Sequence, residues 1–238
     1  MNEQILMTYY IKYLKKIRKV SDSTVKHYQD ALKYISKYLA GKNKIRRSIF
    51  EIQNIEELEI LRRYLYSDPD FIELDKRGHQ MYSAGFNNYY KFANGTGFSG
   101  IHNKISVMDV EVPAPTLKNG TLKVWKRSSI IKTQAIESAD YQCELNSEHW
   151  TFTSKRTGHQ FMEGHHVLPM KYQDKFANSL DVYANVICLC PICHRLLHYG
   201  IEAEKQEAIN KIYCERSERL ATCGIKVSRD DFKQFVNA

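Results

Sequence analysis

The chain has 238 residues, 43% of them hydrophobic, which is enough for one or two globular domains with their own cores. No apolar stretch approaches the roughly 18 residues of a membrane-spanning helix. The first residues also lack the basic, apolar and small-residue order of a signal peptide. The composition therefore excludes an integral membrane protein and predicts a cytoplasmic one.

Positive charge is concentrated in the first 110 residues, which carry 18 Lys and Arg against 12 Asp and Glu. The remaining residues carry 17 against 15, so the formal net charge of +8 is unevenly distributed. A basic surface favours a polyanionic partner such as nucleic acid. Charge alone equally suits a solvated surface that binds nothing.

Residues 1–110 are predicted to form a helical domain. Apolar residues recur at helical spacing in four segments, 3–19, 25–39, 55–66 and 79–94. Ser21 or Ser23 can cap the second of these helices, and Gly41 can end it. The many Tyr and Phe residues at these spacings are interpreted mainly as core residues.

Two basic clusters in this domain are the candidates for contact with DNA phosphates, and a solvated helix face is the alternative interpretation. The first comprises Lys12, Lys15, Lys16, Arg18 and Lys19, and the second comprises Lys42, Lys44, Arg46 and Arg47. The same domain contains the segments V-S-D-S-T-V-K-H-Y-Q-D-A-L and S-A-G-F-N-N-Y-Y-K-F. Through them it resembles the helical DNA-clasping domain of tyrosine recombinases, which implies a role in DNA recognition.

Residues 111–128 are predicted to form a linker, because the Pro, Gly and Asn of V-P-A-P-T-L-K-N-G break regular structure. Residues 129–238 then form the second domain. Apolar spacing predicts helices over 129–141 and 202–221 within it.

The residues best suited to catalysis and metal binding lie between Glu163 and Gly200. This span contains E-G-H-H-V-L-P-M, then Asn185, then C-L-C-P-I-C-H-R-L-L-H-Y-G, in a predicted order of strand, loop, strand and helix. His194 and His198 are four residues apart and share one face of that helix. Clustered cysteines in a long chain without a signal peptide favour metal ligation over disulfides.

These residue types suit phosphodiester hydrolysis. A divalent cation held by imidazoles can polarise the phosphate and stabilise the leaving oxygen. A separate neutral histidine can take the proton from the attacking water. An asparagine amide can orient the ring of that histidine by hydrogen bonding.

His166, Asn185 and His194, in this order of elements, resemble the signature of the HNH endonuclease family. The similarity is closest to restriction-type, McrA-like members that pair the motif with a zinc knuckle, and it covers about 141–200. It implies the ββα-metal fold. The expected class is thus α+β, with a mainly helical N-terminal domain followed by a zinc-stabilised ββα-metal nuclease domain with flanking helices.

The resemblance implies that His166 is the general base and that Asn185 ties the loop and orients His166. It implies that His165, His194 and His198 bind the catalytic divalent ion, so that His194 belongs to the catalytic machinery. The opposite assignment of His165 and His166 stays open because the two are neighbours. Imidazole ligands suit Zn²⁺, Ni²⁺ or Co²⁺, and such sites also work with Mg²⁺ or Mn²⁺.

A second, structural zinc is predicted from the C-x-x-C pair Cys190 and Cys193. Zinc normally takes four ligands, and the suitable residues upstream are Cys143 and His149. His159 is the alternative fourth ligand. Cys188 is expected to point into the core.

The sequence therefore predicts a metal-dependent endonuclease acting on double-stranded DNA, most consistent with a restriction enzyme, either dependent on DNA modification or independent of it. The alternatives are a homing or mobile-element HNH nuclease and a non-catalytic, zinc-stabilised DNA-binding protein. Because each nuclease module cuts one strand, double-strand cleavage predicts a homodimer.

Overall fold

The computed structural model describes residues 3–115, 125 and 127–237, and the chain divides into two compact units, Met1–Gly97 and Phe98–Ala238. None of the helices in these described ranges combines the length and the hydropathy needed to cross a membrane. The α+β class is confirmed, with helices throughout and a small sheet in the second unit.

The first unit consists of helices. They are α1 (Glu3–Lys12), which continues into a π-helical turn over Tyr13–Ile17, α2 (Asp22–Gly41), α3 (Ile55–Ser67), α4 (Pro69–Arg77) and α5 (Met81–Ala93). Ser21 caps α2, because its hydroxyl accepts a hydrogen bond from the Thr24 amide. The sequence pattern did not predict α4, a short helix that begins with Pro69 after the capping residue Asp68.

Aromatic side chains form much of the core of this unit, as predicted. Tyr10, Phe50, Tyr89 and Phe92 are buried, and the Tyr10 and Tyr89 rings meet edge to face with centroids 5.2 Å apart. Each such burial stabilises the fold by about 1.5–3 kcal/mol. Gly85 lets α5 approach α2 closely, since a Cβ there would lie 2.7 Å from the Ala31 Cβ.

The second unit combines a two-stranded sheet with helices. Its elements are a 3₁₀ turn at His102–Met108, α6 (Ser129–Ser138), β1 (Glu163–His166), β2 (Val186–Leu189), α7 (Pro191–Tyr199), α8 (Glu202–Thr222) and α9 (Arg229–Asn237). The predicted helix after residue 202 corresponds to α8, whereas α9 was not predicted. Strand, strand and helix thus follow one another in the order of a ββα core.

β1 and β2 are antiparallel, with His165 opposite Ile187 and His166 opposite Val186. Every residue of β2 is buried. α7 starts directly after this strand because the Cys190 thiol caps it by accepting a hydrogen bond from the Cys193 amide, and Pro191 takes the first helical position.

The structure divides the chain before residue 98, whereas the sequence pattern placed the end of the helical domain at residue 110. Residues 98–110 fold with the second unit because Arg219 donates two hydrogen bonds to the buried Asp109 carboxylate, at 2.7 and 3.0 Å. Within the predicted linker, Val112 and Ala114 bond to the backbone of 177–179. Residues 116–124 and 126 of that linker lie outside the described residues.

Candidate functional site

Three histidines from two elements converge at one end of the sheet. His165 comes from β1, and His194 and His198 come from successive turns of α7. Their ring centroids are all 4.9 Å apart, and one nitrogen from each lies within 4.8 Å of the others. The His194 and His198 Nε2 atoms are 3.2 Å apart. The three nitrogens could hold one metal ion.

Glu163 fixes the orientation of one of these rings. Its carboxylate accepts a hydrogen bond from His194 Nδ1 at 2.6 Å. Nδ1 therefore carries the proton, and the Nε2 lone pair points toward the other two histidines. A carboxylate behind a ligating imidazole is the usual support for a metal ligand in proteins. The sequence interpretation missed this role of Glu163, although the residue lies two positions before His165.

Burial favours the neutral form of two of these rings, His165 and His198. It lowers the pKa of His165 to about 3, with a further contribution from the neighbouring histidines, and it lowers the pKa of His198 as well. A neutral imidazole has the free lone pair that a metal ligand needs.

His166 faces a different partner. Its Nε2 lies 2.9 Å from the Oδ1 atom of Asp181, a residue that is only 2% exposed. The other oxygen of Asp181 accepts a hydrogen bond from the Ser128 amide at the start of α6, at 2.8 Å. The carboxylate is thus held on both sides, and it fixes the ring of His166 in one orientation.

The expectation that Asn185 orients His166 is wrong, because the buried Asn185 amide is fully engaged elsewhere. Its oxygen accepts from the Leu168 amide at 2.7 Å, and its nitrogen donates to the carbonyls of Leu168 and Leu180 at 2.9 and 2.8 Å. Asn185 therefore ties the loop between the strands, as expected, and Asp181 holds the histidine.

Two adjoining cavities of about 320 and 300 Å³ open next to the histidine cluster, and both include His165 and His198 in their walls. Their lining residues include cations and, among the described residues, no Asp or Glu. The cations are Arg127, Lys132, Lys171 and Lys205. The sequence interpretation missed Arg127, Lys132 and Lys205 because only the packing of α6 and α8 brings them to the cleft.

Gly164 provides the space for one of these cations. A Cβ at this position would lie 2.1 Å from Cγ of Lys132, so the lysine stem lies directly across β1. The glycine of E-G-H-H thus lets α6 approach the strand that carries His165 and His166.

The second cluster consists of Cys143, His149, Cys190 and Cys193, whose ligand atoms all lie within 4.8 Å of one another. The three thiols are buried, and Nδ1 of His149 lies 3.2 Å from the Cys193 sulfur and 3.5 Å from the Cys190 sulfur. Three thiols and one imidazole are a donor set that zinc takes up in structural sites.

Hydrogen bonds from the Cys193 thiol and from backbone amides hold the pKa of Cys143 well below its usual range, which favours the thiolate form that zinc binds. The alternative ligand His159 lies outside the cluster and stacks on the Tyr141 ring, with centroids 4.3 Å apart. Cys188 is buried in β2, as expected.

The basic residues chosen in the first unit fall into two groups. Some are engaged, since Lys15 pairs with Asp22 at 2.7 Å and Lys42 pairs with Asp70 at 2.6 Å. Lys12 is half-buried, Arg18 bonds to the Tyr13 hydroxyl, and Lys44 lies 4.5 Å from the centre of the Tyr64 ring. The others are exposed and form no hydrogen bond or ion pair with a described residue, namely Lys16, Lys19, Arg46 and Arg47.

Comparison with known proteins agrees with this geometry. A model of the HNH endonuclease family matches residues 143–201, which contain both ligand clusters. Over 91 residues the chain is 31% identical to the type IV methyl-directed restriction enzyme EcoKMcrA of Escherichia coli strain K12. That match covers 38% of this chain but only 30% of the relative's length. No solved structure matches the chain. Residues 143–201, which hold both ligand clusters, are therefore similar to the HNH endonuclease family.

Proposed function

We propose that the chain is a metal-dependent DNA endonuclease of the restriction type. One observation carries the proposal: at the same cleft, three histidines converge while a fourth is held separately by a buried carboxylate. Hydrolysis of a phosphodiester needs both charge relief at the phosphate and a proton acceptor for water. The domain provides a separate group for each.

We assign the divalent cation to His165, His194 and His198. The donor set fits because burial favours neutral His165 and Glu163 turns the His194 lone pair toward the others. Three protein ligands leave coordination positions for a phosphate oxygen and water. When bound, a divalent cation polarises the phosphate and stabilises charge on the leaving oxygen. The donors suit Zn²⁺, Ni²⁺ or Co²⁺, and we include Mg²⁺ and Mn²⁺ in the tests.

His166 is the general base in this proposal. Asp181 holds its Nε2, so Nδ1 is the nitrogen that accepts the proton from the attacking water. The buried carboxylate then stabilises the imidazolium that forms, as in other histidine bases backed by a carboxylate.

The cations of the cleft bind the DNA backbone. Arg127 and Lys132 lie on the same wall as the histidines, and Lys205 lies in the adjoining cavity. Positive groups at a cleft whose described lining residues include no Asp or Glu attract and orient phosphates. The exposed Lys16, Lys19, Arg46 and Arg47 of the first unit provide further phosphate contacts, which makes that unit the candidate for DNA recognition.

The first experiment is cleavage of supercoiled plasmid by the full chain with Mg²⁺, Mn²⁺, Ni²⁺, Co²⁺ or Zn²⁺. We expect His166→Ala to cut about 10²- to 10⁴-fold more slowly, because general-base catalysis contributes roughly that factor. His27→Ala, an exposed histidine of the first unit, is the matched control. Equal cutting by His166→Ala and the parent under every metal would show that His166 is not the base.

The restriction role needs a second comparison, because the methyl-directed relative shares only part of its length with this chain. Cleavage of the same DNA with and without 5-methylcytosine tests whether modification directs the cut. A homing or mobile-element nuclease would instead cut unmodified DNA at one long site. DNA binding by the parent without cleavage under any metal would favour a non-catalytic DNA-binding protein.

We further propose that the Cys₃His cluster binds a structural Zn²⁺ and that the enzyme cuts duplex DNA as a homodimer in the cytoplasm. A duplex has two strands, and one HNH domain offers one general base. Sedimentation on a cleavable duplex is expected to show two chains per duplex. A complex with one chain that still makes double-strand cuts would contradict the dimer.

A further inference from the structure

An exposed pair of aromatic side chains lies in a hairpin of residues 150–161, which we call the aromatic hairpin. Trp150 is 76% exposed and Phe152 is 58% exposed. The two are separated by one residue, so in extended backbone they point to the same side. Large apolar side chains exposed next to one another mark an interaction surface more often than isolated ones do.

The aromatic hairpin is an ordered structure. The Phe161 amide donates to the Phe152 carbonyl at 2.9 Å, and the Ser154 amide donates to the His159 carbonyl at 2.8 Å. The Phe152 ring stacks on the Phe161 ring with centroids 5.0 Å apart and an angle of 13°. The Phe152 ring is thus held in place before any partner binds, which lowers the entropic cost of binding.

The charges of the aromatic hairpin point to a polyanion. Between His149 and Met162, the only charged residues are Lys155 and Arg156, and both are exposed. Cations that bind phosphates, combined with aromatic rings that stack on bases, are the basis of recognition of nucleic acid strands with exposed bases. A protein surface would need no such excess of positive charge.

The aromatic hairpin also lies beside α6, a helix that borders the cleft with the histidine cluster. A cavity of about 80 Å³ separates it from Thr133 and Ile136 of α6. Lys132, in the same helix, lines the cleft. Lys132 and Ile136 are one helical turn apart, about 6 Å, and B-DNA advances about 3.4 Å per nucleotide. A strand with its phosphate in the cleft would reach the aromatic hairpin within a few nucleotides.

We propose that the aromatic hairpin is a DNA-binding arm of the nuclease domain. Trp150 and Phe152 stack on bases whose faces are exposed by unpairing or distortion, and Lys155 and Arg156 contact the adjacent phosphates. This inference rests on the proposed function, in which DNA is the substrate. It adds a base-contacting surface next to the cut, separate from the basic clusters of the first unit.

Tryptophan fluorescence tests the stacking directly. The chain has two tryptophans, so Trp125→Phe leaves Trp150 as the reporter. In the full chain with Trp125→Phe and His166→Ala, without added divalent metal, a single-stranded oligonucleotide is expected to quench Trp150 fluorescence. Inorganic polyphosphate is expected to bind without comparable quenching. Equal quenching by both would mean contact with charge alone and would overturn the proposal.

Affinity for the same oligonucleotide gives the second measurement. Trp150→Ala is expected to weaken the affinity about tenfold and Phe152→Ala to weaken it several-fold, because each stacked base contributes that much to affinity. Trp150→Phe keeps an aromatic ring and is expected to weaken the affinity less than Trp150→Ala. Ile60→Ala removes a side chain of the first unit that is 61% exposed and is expected to have no effect. Because Trp150 follows His149, zinc content and the melting temperature are measured for each variant, and Phe152→Ala tests the proposal independently of the cluster.

The outcomes separate this inference from the proposed function. If the parent cuts DNA and both Trp150→Ala and Phe152→Ala bind and cut as well as the parent, the DNA-binding arm is overturned. The proposed nuclease function is unaffected by that result. If the parent instead fails to cut DNA with every metal tested while DNA still quenches Trp150 fluorescence, that result supports the DNA-binding arm and counts against the nuclease. If Trp150→Ala converts a dimer to a monomer with unchanged oligonucleotide affinity, the surface joins two chains and the proposal is overturned.

Discussion

The two ligand clusters of the second unit lie close together in sequence and differ in the number and the exposure of their ligands. The Cys₃His cluster has four ligands, and its thiols are buried. The histidine cluster has three ligands, is partly exposed and opens onto cavities of about 300 Å³ lined by cations. A complete and closed ligand set suits a metal that stabilises the fold, and an incomplete one suits a metal that meets a substrate.

The number of ligands and their surroundings distinguish the two clusters better than residue type does. Both clusters contain a histidine, and α7 contributes to both. The comparison predicts that substitutions in one cluster affect stability and that substitutions in the other affect metal binding and cleavage.

The largest effect is expected for Cys193→Ser. Because it removes one of the four proposed zinc ligands, we expect loss of bound zinc, with a cost of several kcal/mol and a melting temperature about 10 °C lower or more. Elemental analysis and thermal unfolding of the full chain measure both. Cys214→Ser, at an exposed cysteine of the same unit, is expected to change neither. An unchanged melting temperature in Cys193→Ser would show that the cluster does not stabilise the domain.

His198→Ala is expected to give the opposite pattern. It removes one of three ligands at the open cluster, so plasmid cleavage should fall at least about 10²-fold, while the melting temperature without added metal should change by no more than a few degrees. Calorimetric titration with Ni²⁺ or Co²⁺ should show loss of one site, with the zinc of the Cys₃His cluster retained. Normal metal binding in this variant would remove His198 from the ligand set.

A smaller effect is expected for Asp181→Asn, which removes the charge behind His166 and keeps the side-chain shape. We expect the cleavage rate at saturating DNA to fall at least about tenfold, with metal affinity unchanged, because the ring loses its orientation and the imidazolium its counter-charge. Asp109→Asn breaks another buried carboxylate contact, with Arg219, and should lower stability without changing the rate at saturating DNA. Equal cleavage rates in the two variants would show that Asp181 does not position His166.

The smallest effect on cleavage is expected for Glu163→Gln. The amide can still contact His194 but no longer favours the protonated Nδ1 as strongly, so metal affinity should fall about 10- to 100-fold and excess metal should restore part of the cleavage. Glu148→Gln, at an exposed glutamate of the same unit, is the control. A loss of cleavage that no metal concentration restores would indicate a role other than supporting the ligand.

The sequence was sufficient for the ligand clusters because helical spacing and ligand chemistry leave few arrangements. His194 and His198 had to share a face of a helix, and Cys143 and His149 were the suitable partners upstream of the C-x-x-C pair. The structure brings each of these residues into the expected group. The same spacing rules predicted the longer helices to within a few residues.

The sequence was insufficient where contacts depend on the path of loops. Nothing in the spacing links Asp181 to His166, fifteen residues earlier, because the link depends on how the loop between the strands returns. Arg127 and Lys132 reach the cleft only because α6 packs on β1 at Gly164. Short helices such as α4 and α9 were missed because they offer few turns on which a helical period can be recognised.

Cys193 and His194 are consecutive residues of α7, yet they belong to different clusters. An α-helix turns about 100° per residue, so inserting one residue between them would rotate one ligand set against the other by that angle. A change in the length of the helix at this point would therefore separate one ligand set from the residues that complete it. Searches for functional homologues or engineered chimeras should therefore treat the ungapped C-x-x-C-H-x-x-x-H spacing as a stricter criterion than overall identity.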